Sequence, residues 1–457
     1  MIHQYKMNDY NIVLDAESGC VHTVDDVAYD IIQLYESASR EEIIATVTKR
    51  HSVTAEEVEE TLSDVDALKK ENKLFTEDLF SGQAHLFKER QSVVKALCLH
   101  VAHACNMTCG YCFAGKGEYQ GDKSLMSYET GKRALDWLIE NSGSRKNLEV
   151  DFFGGEPLLN FQVVKDLVAY GRSREKACGK QFRFTLTTNG LLLDDEVIEF
   201  ANREMSNVVI SLDGRKEIND EMRKTLKGGG TYDAILPAFK KLADSRGQRD
   251  YYIRGTYTHF NRDFASDILH MADLGFKELS MEPVVAPPNA PYALVKEDMP
   301  KLLSEYERLA KEMLERRREK KGRDFTFYHY MIDLVGGPCI VKRISGCGVG
   351  TEYMAVTPAG ELYPCHQFVG DKKFLLGNIW DGIDNHQILD QFKGCNVYSH
   401  EECKDCFAKL YCSGGCAANA YHTTGSINGV YELGCELHRK RIECAIMLKV
   451  AEMCEEL

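Results

Sequence analysis

The sequence predicts an α/β protein: a partial (β/α)6 barrel of the TIM type, preceded by a winged-helix-like module and followed by a cysteine-rich segment. Three observations support this fold class. The first 85 residues combine short alternating runs with three short helical patterns. Six β-branched apolar runs then alternate with six helical patterns, and most of the 17 cysteines come after residue 335. We therefore expect three domains, over residues 1–85, 86–325 and 326–457.

The bulk composition limits what the protein does. The chain of 457 residues is 44% hydrophobic with a formal net charge of −14, which is typical of a globular enzyme but not of a nucleic-acid-binding protein. No run reaches the ~18 apolar residues of a membrane span, and the start lacks a signal-peptide pattern. We expect a cytoplasmic protein with no nucleic-acid or membrane partner. Because disulfides are rare in that compartment, the cysteines indicate metal or cluster ligation.

The N-terminal module is predicted from residues 11–26, NIVLDAESGCVHTVDD, which alternate as two short strands around a turn at residues 17–19. Helical spacing follows over Val27–Tyr35 and Arg40–Arg50, and a third helix begins after the capping signal TAEE at residues 54–57. Strands followed by three short helices favour a winged-helix-like shape, although the acidic composition argues against a DNA-binding role. A structural cap and a recognition module both fit the pattern.

The barrel is predicted from strand and helix patterns that alternate six times. The strands are Val93–Val101, Leu148–Phe153, Phe182–Thr187, Val208–Leu212, Tyr252–Tyr257 and Glu278–Pro283. The helices are Thr130–Ile139, Phe161–Arg172, Asp195–Asn202, Tyr232–Leu242, Asp263–Leu274 and Asp298–Lys321. Repeated strand-helix units imply a parallel sheet, so functional residues should gather at the carboxyl ends of its strands.

Three cysteines crowd the loop after the first barrel strand, in HVAHACNMTCGYCFAG at residues 100–115. Cys105, Cys109 and Cys112 are one thiolate short of a closed tetrahedral zinc site. A [4Fe–4S] cluster would have one iron without a protein ligand. A zinc site completed by a distant His or Cys, or three incidental thiols, also fits this spacing.

Small and polar residues follow the next three strands. In DFFGGEP, residues 151–157, Gly154 and Gly155 stand at the end of the predicted strand, where missing side chains let a ligand approach the backbone, and the carboxylate of Glu156 comes next. The following strand ends contribute small polar groups that can bind a ribose or a carboxylate, or simply stabilise turns: Thr188, Asn189, Ser211 and Asp213.

Beyond residue 335 the chain has glycine-rich turns and little periodic core of its own, so we expect metal ligation to hold this segment together. Seven cysteines there have a regular spacing: Cys347, Cys365, Cys403, Cys406, Cys412, Cys416 and Cys435. They could supply one four-thiolate site with three left over, or two shared sites. Zinc stays open as well, because C-x2-C pairs are common in zinc ribbons.

The CxxxCxxC loop after strand one and GGEP after strand two together resemble the radical S-adenosylmethionine (SAM) superfamily. The resemblance implies that Cys105, Cys109 and Cys112 are catalytic ligands of a [4Fe–4S] cluster whose fourth iron binds the amino and carboxylate groups of SAM. In that family an electron from the cluster cleaves SAM to a 5′-deoxyadenosyl radical.

The same resemblance assigns a SAM pocket. Tyr111 matches the aromatic position before the last cysteine, and residues 154–157 match the segment that contacts the methionine amino group. Ser211 matches a position that contacts SAM. Arg223 is the expected partner of the SAM carboxylate, with Arg215 as the rival.

The spacing of the C-terminal cysteines resembles the SPASM extension of radical SAM enzymes, which implies two auxiliary [4Fe–4S] clusters and three clusters in all. By this resemblance, auxiliary cluster II is held by Cys403, Cys406, Cys412 and Cys435. Auxiliary cluster I takes Cys347, Cys365 and Cys416, and its fourth position is either Cys339 or open to a substrate thiolate. The other cysteines match no motif and are expected to be ordinary thiols: Cys20, Cys98, Cys178, Cys395, Cys444 and Cys454.

Two longer stretches, NIVLDAESGCVHTVDDVAYDII and VVKALCLHVAHACNMTCGYCFA, resemble maturases of the clostridial SCIFF peptides. The resemblance implies a sactipeptide-like thioether between a cysteine sulfur and the α-carbon of an acceptor residue, often threonine. The implied partners are a cysteine-rich precursor peptide, whose N-terminal leader adds as a strand to the first module, and an external one-electron reductant such as flavodoxin or ferredoxin. The alternatives are a sulfatase-type maturase that forms formylglycine from Cys or Ser, and a non-catalytic iron–sulfur or zinc protein.

Overall fold

The computed structural model describes residues 1–83, 85, 86, 93–115, 117–119, 121, 123–336 and 339–455. It begins with a three-stranded antiparallel sheet and three helices: β1 (Ile2–Met7), β2 (Tyr10–Asp15), β3 (Val21–Val24), α1 (Asp26–Leu34), α2 (Arg40–His51) and α3 (Ala55–Lys70). The capping box at Thr54 is confirmed, with the Thr54 hydroxyl accepting from the Glu57 N–H. Strand β1 was not predicted, and the winged-helix shape stays a prediction.

The central part is a parallel sheet whose strands follow one another in chain order. Its strands are β4 (Ala96–Ala102), β5 (Asn147–Gly154), β6 (Gln181–Thr188), β7 (Met205–Ser211), β8 (Tyr251–Tyr257) and β9 (Glu278–Pro283). The helices are α4 (Tyr128–Asn141), α5 (Phe161–Cys178), α6 (Asp195–Glu204), α7 (Lys216–Met222), α8 (Tyr232–Ser245), α9 (Phe264–Asp273) and α10 (Met299–Glu319). The six predicted strands are confirmed, whereas closure into a barrel stays a prediction.

This sheet has one apolar and one polar face. Along β6, Phe182 and Phe184 are buried against Gly171 of α5, while Thr185 and Thr187 alternate with them on the other face. Parallel sheets are usually apolar on both sides because helices cover both. The polar face is therefore the side of the sheet on which a ligand is expected.

The C-terminal segment continues the central sheet. After β10 (Thr326–Phe327), which extends the β9 edge, β11 pairs with β4 in parallel and leads into an antiparallel extension: β11 (Tyr353–Val356), β12 (Glu361–Tyr363), β13 (Gly377–Asn378) and β14 (Gly382–Ile383). The helices are α11 (Ile340–Ser345), α12 (His386–Gly394), α13 (Lys409–Cys412), α14 (Ala417–Thr424) and α15 (Glu432–Glu455). The 24-residue α15 contributes ten residues to the buried interior, and its apolar ones belong to the same buried cluster as the central sheet, so this segment shares the core of the central part.

The N-terminal module is tied to the C-terminal segment by buried charges. The Lys409 ammonium lies 2.8 Å from a carboxylate oxygen of Glu17 and 2.8 Å from one of Asp78. His3 of β1 reaches Glu443 of α15 at 3.0 Å. Within the described residues, no helix combines the length and the apolar character that crossing a membrane requires.

Candidate active site

The three cysteines of the first motif lie on the loop that follows β4. Cys105, Cys109 and Cys112 are partly buried. Burial raises the pKa of Cys105 to about 11, and the neighbouring thiols of Cys109 and Cys112 add to that rise. The structure therefore brings the three predicted thiols together on one loop, as the spacing indicates.

The two glycines of GGEP let this loop pack directly on the end of β5. Gly155 donates its N–H to the Ala102 carbonyl, and Glu156 donates to that of Ala104, each at 2.8 Å. A Cβ on Gly155 would lie 2.1 Å from the Ala104 oxygen, and Gly154 has φ = 125°. The glycines are required because the backbone of the cysteine loop, rather than a ligand, approaches them here.

Glu156 joins two strand ends beneath the cysteine loop. Its fully buried carboxylate accepts from the Thr188 hydroxyl at 2.7 Å and from the Asn189 N–H at 2.8 Å. Burial raises the pKa of Glu156, although these two hydrogen bonds oppose the rise. The Asn189 amide donates to Asn106 at 2.7 Å and approaches the Cys105 sulfur at 3.6 Å. Sequence reasoning missed Asn106, which carries no signal beyond its place beside a cysteine.

Tyr111, Asp213 and Arg223 form a buried chain beside the same loop. The Tyr111 hydroxyl donates to Asp213 at 2.6 Å and accepts from Arg223 at 2.9 Å. The Nε of Arg223 is buried without a partner among the described residues, whereas Arg215 is committed to Asp267 at 2.7 Å. Arg215 is ion-paired with both Asp263 and Asp267, whereas Arg223 forms no ion pair among the described residues, so of the two arginines Arg223 is the one whose charge is left for a ligand carboxylate.

The polar face of the sheet carries side chains that the motifs do not include. Asp151 and Arg254 lie on β5 and β8, and Ser211 at the end of β7 pairs in register with Arg254. Thr187 donates to Asp151 at 3.2 Å. Burial raises the pKa of Asp151 to about 7, although this hydrogen bond and the Arg254 charge oppose the rise. A charged residue inside an otherwise apolar strand was the available signal.

Four C-terminal cysteines form a second thiol group. The pKa of Cys412 is raised to about 12 by burial and then by the other three members, Cys435, Cys403 and Cys406. Cys435 comes from the first turn of α15, far along the chain from the others. The structure therefore brings the expected set for auxiliary cluster II together.

The third thiol group contains a cysteine that the spacing did not identify. Burial, then Cys416 and Cys347, raise the pKa of Cys365, which places the three predicted members near one another. Burial and then the same two thiols, Cys347 and Cys416, raise the pKa of Cys395 to about 12. Cys339, by contrast, is exposed.

Packing on either side of Cys395 explains its position. A Cβ on Gly350, just after Cys347, would lie 2.8 Å from Phe392. A Cβ on Gly414, just before Cys416, would lie 3.2 Å from the Cα of Val397. Phe392 and Val397, three residues before and two after Cys395, therefore lie against the segments that carry Cys347 and Cys416.

The donor sets fit iron–sulfur clusters. No group of three or more His, Cys, Asp or Glu side chains among the described residues is close enough to hold one metal ion. In a [4Fe–4S] cluster each cysteine binds a different iron, so its sulfurs stand farther apart than the ligands of one ion. The thiol groups, together with the unpartnered Arg223 Nε, fit clusters and a carboxylate-bearing ligand.

Comparison with known proteins identifies the central segment. Residues 99–274 match the family described as the Radical SAM superfamily. This family implies a [4Fe–4S] cluster and SAM as cofactors. An uncharacterized protein of Archaeoglobus fulgidus is 28% identical over 345 residues, 73% of this chain and 77% of the relative. A cysteine-type anaerobic sulfatase-maturating enzyme of Clostridium perfringens is 26% identical over 340 residues, 68% of this chain and 85% of that enzyme.

Two solved structures share the fold. Native anSMEcpe with bound AdoMet and the Kp18Cys peptide covers 80% of this chain and 99% of its own, with a TM-score of 0.64 at 21% identity. SuiB of Streptococcus suis bound to S-adenosylmethionine covers 94% of this chain and 97% of its own, with a TM-score of 0.54 at 17% identity. The likeness to SuiB extends over nearly the whole chain, beyond the radical SAM segment.

Proposed function

We propose, from the match of residues 99–274 to the radical SAM superfamily, that this protein is a peptide-modifying radical SAM enzyme. Its reaction joins a cysteine sulfur to the α-carbon of an acceptor residue, threonine above all, in a cysteine-rich precursor peptide. The observation that carries the proposal is the combination of three thiol groups with Arg223, which lies beside the first of them and forms no ion pair with a carboxylate among the described residues. The peptides in the anSMEcpe and SuiB structures support a peptide substrate.

The residues around the first loop bind and orient the cofactors. Cys105, Cys109 and Cys112 hold a [4Fe–4S] cluster, and Arg223 binds the SAM carboxylate. Cluster and SAM, when bound, supply a carbon-centred radical that removes a hydrogen atom from the peptide. Glu156 is a positioning residue, because its carboxylate oxygens accept from Thr188 and Asn189 at the end of β6 and so tie this strand end to the end of β5.

The remaining cofactor pocket is formed around the same loop and strand ends by Tyr111, Thr188, Asn189, Ser211 and Asp213, while Gly154 and Gly155 support it by letting the cysteine loop pack on β5. Tyr111 and Asp213 orient Arg223 through the hydrogen bonds of their buried chain. Ser211 has a hydroxyl that bonds no described residue, which leaves it free for SAM.

The other two thiol groups hold auxiliary [4Fe–4S] clusters, giving three clusters in all. Cys403, Cys406, Cys412 and Cys435 bind auxiliary cluster II. Auxiliary cluster I is bound by Cys347, Cys365 and Cys416. For its fourth position the partly buried Cys395 is better supported than Cys339, because burial and then the nearby thiols of Cys347 and Cys416 raise the pKa of Cys395.

The N-terminal sheet supplies a place for a peptide leader. Helix α15 covers strand β1. His3 hydrogen-bonds to the Glu443 carboxylate, and the Tyr5 hydroxyl donates to the Glu443 carbonyl at 2.9 Å. Strand β3 has β2 as its only strand neighbour among the described residues. A leader that adds as a strand to β3 would therefore meet an open edge. An external flavodoxin or ferredoxin supplies the electrons.

Anaerobic reconstitution tests the proposal. The protein is loaded with iron and sulfide and then mixed with SAM, a chemical reductant and a synthetic cysteine-rich precursor peptide. We expect 5′-deoxyadenosine and a peptide mass lower by ~2 Da for each thioether, because each crosslink removes two hydrogen atoms. Absence of SAM cleavage in an iron-loaded sample would contradict the proposal.

A sulfatase-type maturase is the second candidate, favoured by the 26% identity to the sulfatase-maturating enzyme. Conversion of a cysteine to formylglycine lowers the peptide mass by ~18 Da, because sulfur and hydrogen leave and oxygen enters. Mass spectrometry of a sulfatase-derived cysteine peptide therefore separates the two reactions.

A further inference from the structure

An arginine without a partner projects from the polar face of the central sheet. Arg254 of β8 is aligned with Ser211 of β7 and Ser280 of β9, so the three side chains share one face. Arg254 is exposed, and its guanidinium group forms neither a hydrogen bond nor an ion pair with any residue that the structure describes. A guanidinium group offers five donors, and all five of them remain available here.

The acidic neighbour on β9 is already satisfied. Glu282 accepts from Arg441 at 3.1 Å and lies 3.6 Å from His329. Burial opposes ionisation of Glu282, but the charges of His329, Arg441 and Arg254 lower its pKa to about 2. Because Arg441 supplies its direct partner, Glu282 leaves Arg254 free to bind a ligand.

Asp151 of β5 faces the same space from the other side. It is aligned with Cys98 of β4 and Thr185 of β6, and its one hydrogen bond comes from Thr187. Strands β5 and β8 are separated by β6 and β7, and the register places Arg254 level with Ser211 of β7 and Asp151 level with Asn207, four residues earlier on the same strand. The two side chains therefore bracket a space, with hydrogen-bond donors on one side and acceptors on the other.

We propose that Arg254 and Asp151 bind the main chain of the peptide segment that is modified. The Arg254 guanidinium donates to a peptide carbonyl oxygen, and the Asp151 carboxylate accepts from a peptide N–H. The inference rests on the proposed function, since it assumes that a peptide enters this space.

Charge favours a neutral main chain over an acidic side chain. A carboxylate bound by Arg254 would also face the carboxylate of Asp151, and like charges repel. The formal charge of −14 adds to that repulsion. A peptide main chain carries no net charge and supplies both the acceptor and the donor that the pair lacks.

Peptide binding to the full chain tests the inference without SAM. The probe is a trifluoroacetyl-capped peptide of Gly, Ala, Cys and Thr, and its binding is followed by fluorine NMR line broadening. We expect Arg254→Gln to weaken binding ~10–100-fold, because hydrogen bonds to charged groups are lost. Arg254→Lys should lose less, since it keeps the charge but not the planar fork. Arg133→Gln is the matched control, because Arg133 pairs with Glu140 on an outer helix.

A second peptide, N-methylated at alternate residues, lacks part of the main-chain N–H donors and therefore tests the Asp151 carboxylate as their acceptor. The wild type should bind it ~10-fold more weakly than the parent peptide, whereas Asp151→Ala should bind both equally. Equal binding of the parent peptide by wild type and Arg254→Gln would overturn the inference. If Arg254→Gln lost affinity only for a glutamate-containing peptide, the inference would also be overturned. Absence of peptide binding by the wild type would overturn it as well, because main-chain recognition does not depend on side chains.

The two proposals fail in different experiments. A wild-type protein that binds the peptide but does not cleave SAM contradicts the proposed function alone. A wild-type protein that forms the thioether while Arg254→Gln binds peptide normally contradicts only this inference. Thermal unfolding of each variant shows whether it is folded. If Arg254→Gln is unfolded, Arg254→Lys takes its place in the binding experiment. Unchanged affinity of Arg254→Lys for both peptides would then overturn the inference.

Discussion

Gly154 and Gly155 show how a missing methyl group shapes the cysteine loop. Their position after a strand was readable from the sequence, and so was the need for a close approach. The sequence did not show which atoms approach them. These are the carbonyl oxygens of Ala102, at the end of β4, and of Ala104 just after it, some 50 residues earlier in the chain. The choice between Arg215 and Arg223 has the same character: both follow β7 closely, and only tertiary contacts show that Asp267 occupies one of them.

Gly155→Ala should displace the first cysteine loop. The added Cβ would lie 2.1 Å from the Ala104 oxygen, so the loop or β5 must shift. Overpacking of this kind costs about 1–3 kcal/mol. Urea unfolding should show that loss, with lower iron content after reconstitution. Gly82→Ala is the control because no atom lies within 4 Å of its Cβ position. Wild-type stability in Gly155→Ala would refute the packing argument.

Arg223→Gln should weaken SAM binding ~10–100-fold, because a charge-assisted contact to the SAM carboxylate is lost. Equilibrium dialysis of reconstituted protein with labelled SAM measures this. Arg203→Gln serves as the control, since Arg203 is largely exposed and pairs only with its neighbour Glu204. Iron analysis of both variants separates loss of SAM from loss of the cluster. Unchanged SAM affinity in an iron-loaded Arg223→Gln protein would rule out the assigned role.

Among the elements, the strands and helices of the central sheet were predictable because their apolar periodicity is long and regular. The C-terminal elements were not, because their core is shared: β11 pairs with β4, and α15 packs on α10. A segment that buries its apolar surface on another domain shows no periodic core of its own. Cys395 was missed for a related reason, since its neighbours Phe392 and Val397 position it through long-range packing rather than through spacing.

Cys395→Ser should lower the iron bound at auxiliary cluster I, whereas Cys339→Ser should not. Burial and then the nearby thiols of Cys347 and Cys416 raise the pKa of the partly buried Cys395, which places it in the third thiol group. With three clusters the wild type should bind ~12 iron atoms per chain, so loss of one cluster would remove about four. Iron and sulfide analysis, with Cys178→Ser as a further control, measures the change. Equal iron contents in Cys395→Ser and the wild type would exclude Cys395 as a required ligand.

At the scale of the whole molecule, the first and last parts of the chain meet. Lys409 of α13, only 4% exposed in its side chain, pairs with Glu17 and Asp78 of the N-terminal part. Tyr398 adds a hydrogen bond to Asp78 at 3.0 Å. The sequence could not predict these contacts, because the residues are more than 300 positions apart. They fix the module that we propose to bind the leader relative to the C-terminal segment that carries the second and third thiol groups.

Lys409→Met should loosen this connection. Removing the cation leaves two carboxylates facing each other in a largely buried site, and breaking such a pair costs about 3–5 kcal/mol. We expect a lower midpoint in urea and faster proteolysis between the N-terminal module and the central sheet. Lys241→Met is the control, because Lys241 forms an exposed pair with Asp195.

The effect of Lys409→Met should also depend on pH. Burial raises the pKa of Asp78, but the Lys409 ammonium and further hydrogen bonds outweigh burial and lower the pKa overall. The ionised Asp78 therefore stabilises the fold above the ordinary carboxyl pKa, and this contribution disappears as the pH falls below that value. Burial lowers the pKa of Lys409, but its two carboxylate partners raise it overall, so that contribution persists to about pH 10 and is lost above that. The difference in unfolding free energy between wild type and Lys409→Met should therefore be full between about pH 5 and 9 and shrink at both extremes. A difference that is constant down to about pH 3 would show that Lys409 stabilises through packing of its aliphatic chain instead of its charge.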